Sequence, residues 1–379
     1  MEDFIIVLTE IVIYTTNRIN YFCAMANRRM NSANRAVAYW VLTGTGMLFI
    51  QVMLGGVTRL TGSGLSITEW NVMTGAIPPL HTAQWSALFD KYKQTPQFRL
   101  LNADFNLSDF KFIFYWEWLH RLWARLVGVV FLVGFVWLLF KRKLKSELIV
   151  PLLILFLLGL LQAAVGWIMV ASGLTGDALY VEPTKLALHF TLAVALISYA
   201  FWFSCKLLFQ SNRLRNSRGL RTFAIWLVVL VFFQLLYGAL MAGNKAAAAA
   251  PNWPRINGDW IPASLFSQTP VMLNFIGNKI MIHFIHRNLA YLILVGTCMW
   301  TIGLFRSGMI RHQRGRLMLP LTLVSVQVLL GILAVVSSSG IVANRWVIFD
   351  WLALLHQMNG ILLLFSLIYA IYVLRPAAK

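Results

Sequence analysis

The sequence predicts an all-α integral membrane protein whose eight transmembrane helices form two pseudosymmetric four-helix bundles. Three observations predict it. Of 379 residues, 59% are hydrophobic and only 12% charged, more apolar surface than one soluble core can hide, so lipid is the solvent for most of the chain. Eight apolar stretches each reach roughly 20 residues, the length that crosses about 30 Å of hydrocarbon as a helix. The second half of the chain also repeats the first, with histidines at a nearly constant offset.

The eight spans run approximately over residues 37–57, 116–140, 150–171, 185–205, 222–242, 280–304, 317–337 and 351–373. Residues 1–34 are expected to be a cytoplasmic N-terminal extension, 35–210 the first bundle and 211–379 the second. Within the extension, the apolar run from Phe4 to Tyr14 contains Glu10. It is too short to span and lacks a signal-peptide cleavage pattern. Either it lies on the membrane surface or translation starts at Met25 or Met30. Glu2 and Asp3 argue against an Arg-rich, acid-poor mitochondrial transit peptide, so a bacterial inner-membrane protein is expected.

A formal charge of +19 would suggest nucleic acid as the partner of a soluble protein, but its distribution has a simpler cause. Of the 32 Lys and Arg residues, 19 lie on the side that holds both termini, and the other 13 lie opposite over longer loops or inside helices. The short basic loops KRKLK from Lys141, NRLRNSRGLR from Asn212 and RHQRGR from Arg311 therefore mark the cytoplasmic face. Membrane lipid, not nucleic acid, is the expected partner. Cys23, Cys205 and Cys298 are scattered, with no CxxC or CxxCH among them. That sets aside a disulfide framework, covalent c-type haem and a cysteine metal site.

The repeat is carried by both kinds of span. His120 in LHRLWA and His286 in IHRNLA are 166 residues apart, and His189 in KLALHF and His356 in LALLHQ are 167 apart. Each odd-numbered span carries a Gln followed four residues later by Gly: Gln51 and Gly55, Gln162 and Gly166, Gln234 and Gly238, Gln327 and Gly331. One turn apart, the two place a hydrogen-bonding amide beside a gap that a neighbouring helix or a flat ring can approach. Ordinary small-residue packing would explain one such pair; four in register point to a repeated hairpin of a Gln-Gly helix followed by a His helix.

The four histidines each fall about four to six residues into an even-numbered span, at one expected depth in the outer leaflet. A single membrane histidine is more often a packing residue than a ligand. Two per bundle at matched depth point to function, because ionisable groups in membrane helices are expensive. A pair of imidazoles could bind zinc or copper, although zinc usually takes three or four donors. A bis-imidazole axial pair across a haem fits better, since haem needs two axial ligands and an apolar slot between helices. His81, in the long outer loop, and His312, in a basic inner loop, have no partner pattern and are expected to be solvated.

The halves differ three residues before the first histidine of each, where Glu117 faces His283 as its counterpart. Glu117 is expected to be the one acid inside a span. It could take protons, orient a water or orient an imidazole; an ion pair with Arg121 or Arg125 is the plainer alternative. Arg121 and Arg287 follow a candidate ligand and Arg125 lies one turn further, so all three could hold haem propionates or could extend to lipid headgroups.

These motifs resemble one family. GGVTRLTGSGLSITEW from Gly55, YWEWLHRLWARLVG from Tyr115, LQAAVGWIMVASGL from Leu161, and LALHF, IHRNLAY and LLHQMNG around the later histidines resemble haem A synthase over nearly the whole length. The resemblance implies that haem O is the substrate and haem A the product, through two hydroxylations of the C8 methyl and loss of water from the geminal diol, with water as the oxygen source. It implies a haem b cofactor and further partners in haem O synthase and an electron acceptor. Carried residue by residue, it places Glu117, as the catalytic residue, with His120 and His189 in the substrate half and His286 and His356 in the haem b half, all four histidines being axial ligands of haem iron. Arg59, in the Arg59-Leu60-Thr61 run, joins Arg121, Arg125 and Arg287 as a cofactor-binding residue. GxxxG-like surfaces hint at a homo-oligomer.

Two departures stand out. The loop from Gly243, GNKAAAAAPNWPRINGDWIP, has an alanine run where the family usually has glycine, and the cysteine pair of some members' first outer loop is missing. The latter resembles the proteobacterial and mitochondrial branch and removes thiol chemistry from the expected mechanism. The main rival is a di-haem b-type electron-transfer cytochrome, which would make the halves equivalent where Glu117 makes them differ. An exporter is a weaker rival, since the repeat preserves topology instead of inverting it.

Overall fold

A computed structural model of the chain describes residues 32–69, 74–208, 218–309, 315, 317–342 and 345–375. The apolar run from Phe4 to Tyr14, Cys23 and His312 lie outside the described residues. Ten helices of six or more residues follow in order: α1 Ser32–Leu60, α2 Thr82–Lys93, α3 Pro96–Leu101, α4 Leu107–Phe140, α5 Ser146–Gly173, α6 Pro183–Leu208, α7 Arg218–Gly243, α8 Lys279–Arg306, α9 Leu319–Ser337 and α10 Ile348–Val373. All but α2 and α3 are long and apolar enough to cross a membrane, which gives eight candidate spans. No strand forms among the described residues. A helix pairs its interior main-chain polar groups within itself, as hydrocarbon requires, and Val133, Leu157 and Phe140 point outward.

In the first four long helices α1 packs on α4 and α6, and α5 on α6; in the second four α7 packs on α8 and α10, and α9 on α10. Contacts of α6 with α7 and α10, and of α1 with α10, join the two sets. Apolar side chains fill the seam, with Val52, Ile197 and Ile361 in one cluster and Val57, Leu354 and Met358 in another. Gly56 lets α10 come close: the Gln357 amide donates to the Val52 carbonyl at 3.0 Å, and a Cβ on Gly56 would stand 2.9 Å from it.

Several helices start a few residues before the expected spans, and the starts of α4 and α10 have a clear physical cause. Helix α4 starts nine residues earlier than the span it contains, because Asn106 caps it by accepting from the Ser108 and Asp109 amides while Asp109 accepts from the Asn106 amide. This extension carries Phe110, Ile113 and Phe114 into a cluster with Trp85, Phe89 and Tyr92 of α2, which caps the outer end of the first four long helices. His120 is therefore the fourteenth residue of its helix, not the fourth to sixth, while His189 is the seventh of α6. Helix α10 starts at Ile348, where the Val347 amide donates to Asp350 at 2.8 Å. Asp109, Glu147 and Asp350 thus also lie in membrane-length helices. They occupy first turns, where the helix dipole favours an acid; Glu117 is the one acid deeper in such a helix among the described residues.

Candidate functional site

Each Gln-Gly pair meets the histidine of the helix that follows it. A Cβ placed on Gly55 would lie 3.3 Å from the His120 ring, on Gly166 2.7 Å from His189, on Gly238 3.4 Å from His286, and on Gly331 2.9 Å from His356. The missing side chain is the space each imidazole uses. The glutamine amides close the contact: Gln51, Gln162 and Gln327 donate to the main-chain carbonyls of His120, His189 and His356 at 3.2, 3.1 and 3.0 Å. Gln234 instead reaches the His286 ring nitrogen at 3.3 Å. His356 goes one step further, since its Nδ1 bonds the main-chain carbonyl of Gln327 at 3.1 Å. A carbonyl can only accept, so Nδ1 carries the proton and Nε2 holds the lone pair, which the Gln327 side-chain amide faces at 3.3 Å.

Glu117 is buried, with 2% of its surface exposed. One carboxylate oxygen accepts from the Ser66 hydroxyl at 2.7 Å and the Ile67 amide at 2.9 Å, and the other pairs with Arg121. The strand of loop after α1 is brought there by a turn in which Gly62 adopts φ +66° and the Ser63 amide returns to the Thr58 carbonyl at 2.9 Å, a Schellman closure that favours glycine. His283 does the corresponding work in the second half, with its Nε2 2.7 Å from the Ala246 carbonyl in the alanine run.

The arginines are engaged locally. Arg121 donates to the Ile67 and Glu69 carbonyls at 3.2 Å each, and Arg287 donates to those of Ala250 and Arg255 at 2.9 and 3.1 Å. Each therefore pins a connecting loop of its own half. Arg125 and Arg59 line the same cavity, and the buried Arg59 Nε has no hydrogen-bond partner among the described residues. Just beyond α7, Lys245 holds its ammonium 3.1 Å from the centre of the Tyr180 ring. Burial, with Arg59 and Lys279 nearby, pulls Lys245 down to about 8. His81 lies at the start of α2, away from the four other histidines and exposed as expected.

One cavity of about 1540 Å³ runs past all four histidines and Glu117 and crosses the seam between the two sets of helices. It exceeds the roughly 300–1,000 Å³ of ordinary small-molecule sites. The His286 and His356 rings face it with centres 6.2 Å apart and planes at 65°, room for one metal ion between imidazoles at bonds of about 2 Å. No three His, Cys, Asp or Glu side chains converge among the described residues, so a multi-donor zinc site is not formed. A ligand with two axial positions and a broad apolar body suits this donor set.

Sequence reasoning found the four histidines, the Gln-Gly pairs and Glu117; it missed the residues they use. Ser66 and Ile67 lie within the run GGVTRLTGSGLSITEW, where composition gives no sign that a hydroxyl and an amide turn back onto α4. Asn359, whose amide donates to the Gln327 side-chain oxygen at 2.7 Å, follows His356 by three residues and carried no periodic signal. Lys245 was counted only as outer-face charge.

Fold and site together define a multi-pass helical membrane protein with paired, partly buried imidazoles around one apolar cavity. Residues 38–368 match the family model described as cytochrome oxidase assembly protein. The chain is 41% identical over 343 residues to heme A synthase of Paracoccus denitrificans, covering 89% of this chain and 87% of that protein. It is 39% identical over 357 residues to that of Rhodospirillum centenum, with 93% and 92% covered, and 34% identical over 347 residues to that of Flavobacterium johnsoniae, with 90% and 99% covered. The chain belongs to the haem A synthase family.

Proposed function

We propose that this chain oxidises the C8 methyl of haem O to the formyl group of haem A, with the substrate between His120 and His189 and a resident haem b between His286 and His356. The net change, R–CH3 + H2O → R–CHO + 4 H⁺ + 4 e⁻, takes its oxygen from water and passes by way of an alcohol and a geminal diol on the substrate. When bound, haem b supplies one-electron transfer toward an acceptor outside this chain. The observation that carries this reading is the difference between otherwise matching halves: a buried carboxylate, Glu117, stands one turn before His120, where His283 precedes His286.

The residues divide the work. His120 and His189 hold the substrate, each seated on a glycine of a neighbouring helix. Glu117 borders the cavity and is fixed from three directions by Ser66, Ile67 and Arg121, so a proton or a water delivered there meets a carboxylate of constant position. Arg121 and Arg287 hold the outer loops over the cavity and exclude bulk water. Arg59 and Arg125 supply positive charge where propionates would lie. Haem O synthase is the source of the substrate, the chain lies in a bacterial inner membrane with both termini cytoplasmic, and residues 35–210 and 211–379 form the substrate and haem b halves.

The test is Glu117→Gln in the purified protein. Haem content should stay at the unsubstituted level while conversion of haem O falls at least 100-fold, the scale of one lost acid–base group. Conversion within a few-fold of the unsubstituted protein would remove Glu117 from the chemistry.

A further inference from the structure

The glutamine-glycine repeat does more than pack helices. All four glycines lie against an imidazole of the next membrane-length helix, and three of the four glutamines reach the main chain of that same histidine. The geometry follows from the helix itself. The carbonyl of residue i normally points toward the amide of residue i+4, so a side chain at i+4 screens it from a neighbouring helix. Glycine at i+4 removes that screen. An imidazole can then lie on the bare backbone and give its Nδ1 proton to the carbonyl of the glutamine, as His356 does at 3.1 Å. The Gln162 and Gln234 carbonyls also lie beside their histidine rings.

We infer that each Gln-x-x-x-Gly segment is a seat that sets the rotation and tautomer of one haem-ligating histidine, with Gly331 and Gln327 holding His356 most completely. This inference rests on the proposal that the four histidines are axial ligands. A ligating histidine whose second nitrogen donates to a carbonyl is held in one orientation and is more basic toward the metal. The glycine makes that donation possible, and the glutamine amide keeps the two helices in register.

The four seats are not identical. Gln327 is itself held, because its side-chain oxygen accepts from Asn359 at 2.7 Å, whereas the side-chain oxygens of Gln51, Gln162 and Gln234 are buried without a partner among the described residues. His356 is therefore the most rigidly seated of the four imidazoles. Gln327 and Gly331 act through His356 and are positioning residues.

The experiment uses the full chain purified with its haem, and compares Gly331→Ala with Gly46→Ala, a membrane-helix glycine outside the cavity lining whose added Cβ would meet nothing within 4 Å. In Gly331→Ala the new Cβ would stand 2.9 Å from His356 Cε1 and 3.4 Å from Nδ1, so the ring must leave the Gln327 carbonyl. Haem affinity should fall about 10–100-fold, and the midpoint potential of the retained low-spin haem should rise as the less basic ligand stabilises the ferric state less. Gly46→Ala should keep both properties. Should Gly331→Ala fail to fold, Gln327→Leu decides: it leaves the main-chain carbonyl but removes the amide, and should change the low-spin electron paramagnetic resonance anisotropy, which reports the angle between the axial rings. Unchanged affinity, potential and anisotropy in these variants would overturn the seat. An unsubstituted protein without a bis-imidazole low-spin spectrum would instead overturn the ligand assignment beneath it.

Discussion

Glu117 shows how much one side chain can be asked to do. Its oxygens accept from Ser66, Ile67 and Arg121, so Glu117→Ala leaves the Ile67 amide without its acceptor, a cost of about 1–3 kcal/mol when the group is buried. The variant should melt at a lower temperature than Glu117→Gln while both retain haem; equal melting of the two would mean that the loop does not depend on this carboxylate. Lys245 offers a pH test outside the spans. Its folded value of about 8 lies below the ordinary value near 10.4, so between these limits the unfolded chain binds more protons and stability rises with pH. Melting temperature measured between pH 7.5 and pH 9.5 should climb, and Lys245→Met should flatten the climb; a slope unchanged by the substitution would contradict the partial desolvation of this ammonium. The residues that chemistry makes rare in a membrane, histidines and an acid, were legible in the sequence. Their partners were not, because Ser66, Ile67 and Asn359 are ordinary residues made specific only by the fold.

At the scale of the element, the eight long helices were legible because hydrocarbon thickness imposes a length that few other structures need. What escaped was the first part of α4, ahead of the expected span. The segment LSDFKFIFY from Leu107 carries Asp109 and Lys111 and does not look like a span; its helical state comes from the Asn106 cap and from packing on α2. Phe110, fully buried, stacks near Phe89 and Tyr92 at centroid distances of 5.1 and 5.3 Å. Phe110→Ala should cost about 3–5 kcal/mol, read as early loss of the outer cap to limited proteolysis, while a variant as resistant as the parent would show that α2 is not held by this cluster. The Gln-Gly motif was visible as a repeat, yet the ring it receives could not be named from spacing alone, since helix rotation decides whether a flat ring or another helix fills the gap.

Across the whole molecule, the two sets of four helices meet at a seam closed by Val52, Ile197, Ile361 and the Gln357 contact to α1, and one cavity crosses it. The histidine offset announced two related halves, but not that their sites would share a continuous space; that depends on the contacts of α6 and α10, which no periodicity records. A division of labour between halves makes different demands on the histidines. Under the proposed assignment of the halves, His286→Ala or His356→Ala should remove a low-spin bis-imidazole haem spectrum, and the same substitutions at His120 or His189 should leave that spectrum in place while conversion is lost. The opposite pattern would exchange the two halves. The most direct test of the central claim is to express the chain with haem O synthase in a host that makes no haem A, extract the haems and weigh them by mass spectrometry. Haem A is the predicted product; haem O left unchanged beside a folded, reducible, haem-loaded protein would contradict the account and make the chain an electron-transfer cytochrome.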